Sequence, residues 1–126
     1  MMFVRLYDDD ERDLYIQLAD EIIRLIAVRH LEDGDELPSI RKLAASLQVN
    51  TKTVQAAYQK LADEGFILLR KKATALVNQE NFNEVKWEDR WQKIFTRFHN
   101  ECKARHLSDD DISLLVERLF RKDDVT

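Results

Sequence analysis

Gly34, Pro38 and Gly65 are the only glycines and proline in this chain of 126 residues, and all three fall between positions 34 and 65. Relative to alanine, glycine weakens a helix interior by about 1 kcal/mol and proline by about 3 kcal/mol. Tight turns draw on the same two residues. A chain so poor in both is constrained to be mostly helical, with its turns gathered where these residues lie. The length allows one domain, or a small domain with an appendage. Hydrophobic residues, at 44%, suffice for a core. No apolar run reaches the roughly 18 residues of a membrane span, and no signal peptide follows Met1. No membrane partner is therefore expected. The single cysteine excludes an internal disulfide framework, which makes a reducing cytoplasm the expected location.

Apolar spacing predicts three helices in the first half. The first runs from Leu14 to Arg29, with Asp13 as N-cap and Tyr15, Leu18, Ile22, Leu25 and Ile26 on one face. Arg29 and His30 suit the negative end of its dipole. Gly34 makes a turn and Pro38 halts any helix through it. A second helix starts at Ser39 and carries Ile40, Leu43, Ala44 and Leu47; a third is capped by Asn50 or Thr51, carries Val54, Ala57, Tyr58 and Leu61, and stops at Gly65. Two short apolar runs, Phe66–Arg70 and Ala75–Asn78, then read as a two-stranded hairpin. The expected fold is mainly α with a small β-hairpin: a winged helix-turn-helix domain over residues 1–79, followed by a two-helix tail over 80–126.

The formal charge of −4 argues against a nucleic-acid partner only while it is treated as uniform. Between Ser39 and Asn78 seven basic residues face two acidic ones, a net +5, which leaves −9 elsewhere. With Val54 on the core side, a rotation of about 100° per residue turns Lys52, Gln55, Ala56 and Gln59 outward. That face carries no acid. Glutamine can pair with adenine through two hydrogen bonds, and lysine reaches guanine or phosphate. Ser39 and its free amides, helped by Arg41, suit a backbone phosphate. Lys71 and Lys72 at the hairpin tip, with Arg70 beside them, fall on the flanking backbone or the minor groove.

Leu37-Pro38-Ser39-Ile40-Arg41-Lys42-Leu43-Ala44, then Val49 to Tyr58, then Leu61-Ala62-Asp63-Glu64-Gly65-Phe66-Ile67 resemble the DNA-binding domain of GntR-type transcriptional regulators, as does Tyr15-Ile16-Gln17. The resemblance covers about residues 14–78. It implies a homodimer on a palindromic operator in double-stranded DNA, contacted by the start of the second helix, the recognition helix and the wing. Arg41 matches the family's backbone-contacting arginine, and Asn50 and Thr53 lie within the motif. Thr51 and Gln55 stand where many members have arginine. The wing lacks the usual glycines, so lysine-to-phosphate contact is expected there rather than minor-groove insertion of a bare backbone.

A helix from Glu84 to Arg105 is expected to carry Trp87, Trp91, Ile94, Phe95, Phe98 and Cys102 on one stripe. Another, capped by Ser108, carries Ile112, Leu115, Val116, Leu119 and Phe120. Two such helices cannot bury these aromatics alone, so the stripe is expected to pair with that of a second chain. A tail this short resembles the YtrA-like subgroup of the family, which implies dimerisation and a transporter operon as target, most simply under repression. The length is expected to leave no room for a separate sensor domain. No residue pattern names a small-molecule effector, for which the seam between winged domain and tail is the candidate place.

Rival readings exist for several residues. His99, Cys102 and His106 share a helix face as a three-ligand metal set, yet i and i+7 lie about 10 Å apart along the axis. Cys102 in a dimer core with flanking histidines is the simpler account, and no metal or other cofactor is expected. Trp87 and Trp91 could line a ligand pocket, although interface packing explains them. Asp8–Asp10 and Asp109–Asp111 read as a solvated tail and a capping turn rather than cation sites. No phosphate-binding glycine loop, nucleophile elbow or acid–base pair suggests an enzyme. The alternative to DNA binding is a winged-helix module for protein–protein contact, which the acid-free helix face disfavours.

Overall fold

In the computed structural model, residues 4–7, 12–71 and 74–125 are described. They form α1 (Leu14–Ala27), β1 (Glu36–Leu37), α2 (Ile40–Leu47), α3 (Thr51–Asp63), β2 (Ile67–Arg70), β3 (Thr74–Val77), α4 (Glu84–Ala104) and α5 (Asp109–Val125). The chain divides into two compact units, residues 1–83 and 84–126. Asp8–Asp10, Lys72 and Ala73 lie outside the described residues.

The first unit is a winged helix-turn-helix. Leu18, Ile22 and Leu25 of α1 are buried with Leu43 and Ala44 of α2, and with Val54, Ala57, Tyr58 and Leu61 of α3. Ile67, Ala75 and Val77 close this core from the sheet. Ser39 caps α2, its hydroxyl accepting from the Lys42 amide at 3.2 Å. Asn50, rather than Thr51, caps α3 by accepting from the Lys52 amide at 2.9 Å. Asp13 stands at the start of α1, but its side chain makes no capping bond. Its carbonyl accepts from the amides of Ile16 and Gln17 instead. Gln17 is buried, and its amide group bonds both the N–H and the carbonyl of Tyr7, holding the segment 4–7 as a paired strand would.

The expected two-stranded hairpin is a three-stranded antiparallel sheet in the order β1-β3-β2. Glu36 pairs with Leu76 and Leu37 with Ala75 on one side of β3, while Ile67 pairs with Val77 and Arg70 with Thr74 on the other. The extra strand is two residues long, too short to show any periodicity. It is recruited because β3 has an open edge next to the chain that leads into α2.

Helix ends account for the scarcity of glycine. α3 ends in a Schellman motif, with the Phe66 amide on the Leu61 carbonyl, the Gly65 amide on that of Ala62, and Gly65 at φ 84°. The same bond pattern ends α1, α2 and α4, where Arg29 (φ 64°), Gln48 (φ 57°) and His106 (φ 66°) take the left-handed position. α1 therefore stops at Ala27, and Arg29 lies beyond the helix instead of in its last turn. A left-handed side chain costs about 1–2 kcal/mol. Because Gln48 is exposed, Gln48→Gly should release part of that cost, offset by the freer unfolded chain. A gain of about 0.5–1 kcal/mol is expected in chemical denaturation. An unchanged or lower midpoint would mean that the Gln48 side chain contributes to the fold.

In the second unit Ser108 and Asp111 form a capping box at the start of α5: the Asp111 amide donates to the Ser108 hydroxyl at 3.1 Å, and the Ser108 amide donates to the Asp111 carboxylate at 2.9 Å. These bonds hold the Asp111 carboxyl below its usual range. Among the described residues, this unit buries Cys102 and Ile112, on either side of the connecting turn.

Candidate nucleic-acid interface

Three elements of the first unit carry the basic residues of the Ser39–Asn78 segment, and local sequence places each. The chain leaves β1 at Leu37, passes Pro38 and enters α2 at the Ser39 cap. In the first turn the Lys42 amide is satisfied by Ser39, which leaves the amides of Ile40 and Arg41 available to an anion. Arg41 is exposed beside them. The short turn through Val49 then delivers α3. Lys52, Gln55 and Gln59 are exposed along it, Thr51 is exposed at its first position, and Thr53 and Ala56 are half-buried. Asn50 is exposed, with its side chain committed to capping. Arg70 and Lys71 are exposed at the end of β2, where the wing turns.

One part of the outward face differs from the sequence expectation. Gln59 donates from Nε2 to the carboxylate of Asp63 at 2.9 Å, one turn further along the same face. The face is thus free of acid from Thr51 to Gln59, while its far end carries a carboxylate that engages the second glutamine. Lys60 turns aside into an ion pair with Glu64 at 2.7 Å. Lys52 and Gln55 are exposed near the start of α3.

By its spacing Tyr58 is a core residue of α3. It is fully buried, and its hydroxyl donates to the Pro38 carbonyl at 2.7 Å, across 20 residues of chain. Burial pushes the phenol well above its ordinary value, so it remains a proton donor. The helical spacing gave no signal of this bond, because both partners are set by the fold.

The second unit presents its aromatic stripe outward. Trp87 is 40% exposed, Trp91 47%, Ile94 51% and Phe95 54%, and Phe98 is half-buried. On α5, Leu119 is exposed and Leu115 half-buried. Arg90 lies over the Trp91 ring at 5.6 Å. Phe95 stacks on His99 at 6.0 Å. Asp109 receives Lys103 at 2.8 Å and His99 at 3.7 Å, and Lys103 above all holds the Asp109 carboxyl below its usual range. His99 thus faces Phe95 and Asp109, whereas His106 sits in the left-handed turn after α4. Among the described residues, no group of three or more His, Cys, Asp or Glu is placed to hold a metal ion.

Comparison with known proteins bears on the family and the fold. The model of the family described as bacterial regulatory proteins, gntR family, matches residues 14–77. The solved structure of YtrA from Sulfolobus acidocaldarius, a GntR-family transcription factor, is 40% identical, with a TM-score of 0.64 over 77% of this chain and 97% of that one. Two curated relatives come from Bacillus subtilis. The HTH-type transcriptional regulator YhcF is 33% identical over 48% of this chain and 50% of its own length. The HTH-type transcriptional repressor YtrA is 37% identical over 43% of this chain and 42% of its own length. The chain thus spans half or less of these curated relatives' lengths.

Proposed function

Because this chain belongs to the GntR family of bacterial regulatory proteins, in its YtrA-like branch, we propose that it is a sequence-specific DNA-binding transcriptional regulator that reads a palindromic operator as a homodimer. The observation that carries the proposal is the exposed, acid-free start of α3. Lys52 and Gln55 are exposed there, the α2 N-terminus has available amides, and Arg41, Arg70 and Lys71 are exposed on α2 and the wing. A protein–protein surface would not need available amides and guanidinium groups together with a helix start free of carboxylates. The contacts divide by role. Ser39, Arg41, Arg70, Lys71 and Lys72 position the protein on the backbone, while Thr51, Lys52, Thr53 and Gln55 read the groove.

Residues 1–79 act as the reader and 80–126 as the dimer clasp, through Trp87, Trp91, Ile94, Phe95, Phe98, Leu115 and Leu119. Repression is favoured by the name of the Bacillus subtilis relative, and the transporter operon by the subgroup resemblance. A cytoplasmic location follows from an operator as target. Among the described residues no helix is long and apolar enough to cross a membrane.

The test is binding to the DNA upstream of the protein's own gene across a salt series. Phosphate contacts make binding weaken steeply with salt. A flat salt response with no sequence preference would refute the proposal. Lys71→Ala should weaken binding to all sequences alike and flatten the salt slope by about one. Gln55→Ala should cost about 1–3 kcal/mol on the operator and relax its preference at one position per half-site. A Gln55→Ala variant with unaltered preference would remove α3's outer face from the reading role.

A further inference from the structure

We infer that Tyr58 is a positioning residue that holds the base-reading helix in register with the phosphate anchor; the inference rests on the DNA-binding reading above. Three elements must meet one duplex at once: the start of α2, α3 and the wing. Local sequence shapes each of them, but their mutual placement depends on few polar ties. One is the pairing of β1 with β3, which fastens the wing sheet to residues 36 and 37. The other is the Tyr58 hydroxyl, which reaches from α3 to the carbonyl of Pro38, the residue joining β1 to the Ser39 cap. Pro38 is therefore the point at which sheet, anchor helix and reading helix are tied together.

The placement of this bond gives it more consequence than a phenol filling the core. The Tyr58 ring lies on the core face of α3 with Val54, Ala57 and Leu61, and a phenylalanine would occupy the same space. Only the hydroxyl reaches out of that packing to the backbone one residue before the anchor. A buried, fully satisfied polar bond selects one arrangement among several that apolar packing alone would tolerate. Phosphate contacts carry no sequence information, but they set where the readers fall along the groove. A loosened joint therefore harms the complex that needs anchor and readers engaged together, which is the operator complex. Non-specific binding needs only charge near phosphates and is spared.

The experiment is Tyr58→Phe in the full chain, titrated with operator and with random-sequence DNA of equal length well below the unfolding temperature. The operator-to-random affinity ratio should fall by about five- to tenfold, the equivalent of one lost hydrogen bond. Random-sequence affinity and salt slope should stay as in the parent. Incorporation of 4-aminophenylalanine at position 58, which restores an N–H donor, should recover much of the ratio. A tyrosine with a purely structural role would lower the unfolding temperature and leave the ratio of the folded protein unchanged, and that result overturns the inference. If Tyr58→Phe alone unfolds, the same ratio is measured with Gln48→Gly as background. A parent protein without operator preference would instead defeat the DNA-binding reading, so the two failures are told apart before any variant is made.

Discussion

With the α4 stripe as the proposed dimer clasp, Trp91→Glu is expected to leave a monomer and to abolish operator binding at concentrations where the parent is saturated. Trp91 is 47% exposed, in the middle of a stripe with Trp87, Ile94 and Phe95. A large aromatic side chain has some 150–250 Å² to bury, so roughly 100 Å² of Trp91 remains to be covered, worth about 2.5 kcal/mol. In a two-fold dimer the loss occurs twice, and each glutamate also carries a charge that must be desolvated. The sum is at least ~5 kcal/mol, or a dimer weakened a thousandfold or more. The monomer keeps one recognition helix and so loses the second half-site, which lies about 34–36 Å away. Sedimentation or light scattering reads the first effect and DNA titration the second. Because the second unit is a separate compact body, the winged unit should unfold at its parental temperature. A Trp91→Glu protein that remained dimeric would move the clasp elsewhere.

Gly65→Ala is expected to damage the winged unit itself. Gly65 ends α3 at φ 84°, and an added Cβ would lie 2.9 Å from the Phe82 Cα and 3.2 Å from its backbone nitrogen. Backbone at that distance cannot swing away as a flexible side chain would. The left-handed conformation alone costs about 1–2 kcal/mol, and relief of the overlap should bring the total to about 2–4 kcal/mol. For a unit of this size the unfolding temperature should drop by ~10 °C or more. The other glycine is a control: an added Cβ at Gly34 meets nothing within 4 Å, although its φ of 92° retains the conformational penalty. Gly34→Ala should therefore be the milder of the two, and equal losses would remove the Phe82 contact from the explanation.

The two glycines thus illustrate how unevenly a sequence reveals its structure. Gly65 is legible because it follows a helical pattern whose bonds are local: Val54, Ala57, Tyr58 and Leu61 recur at turn spacing, and the C-terminal motif needs only the next two residues. The left-handed ends at Arg29, Gln48 and His106 carry no comparable mark. The same contrast runs through the interface. Ser39 and Asn50 satisfy amides two or three residues away, so their roles follow from sequence spacing. Gln59 is outward by rotation, yet the acid one turn below decides what its amide faces.

The scarcity of glycine and proline makes a mostly helical chain legible from sequence, although a further turn at His106 lies far from all three of these residues. Sequence also locates a basic segment, Ser39 to Asn78, within an acidic whole, because charge is read off residue by residue. Tertiary structure alone decided the third strand, the bond from Tyr58 to Pro38 and the clamp of Gln17 on residue 7. Each joins groups that are distant in sequence, and each forms only after the core has brought an open strand edge or a backbone carbonyl within about 3 Å of a partner.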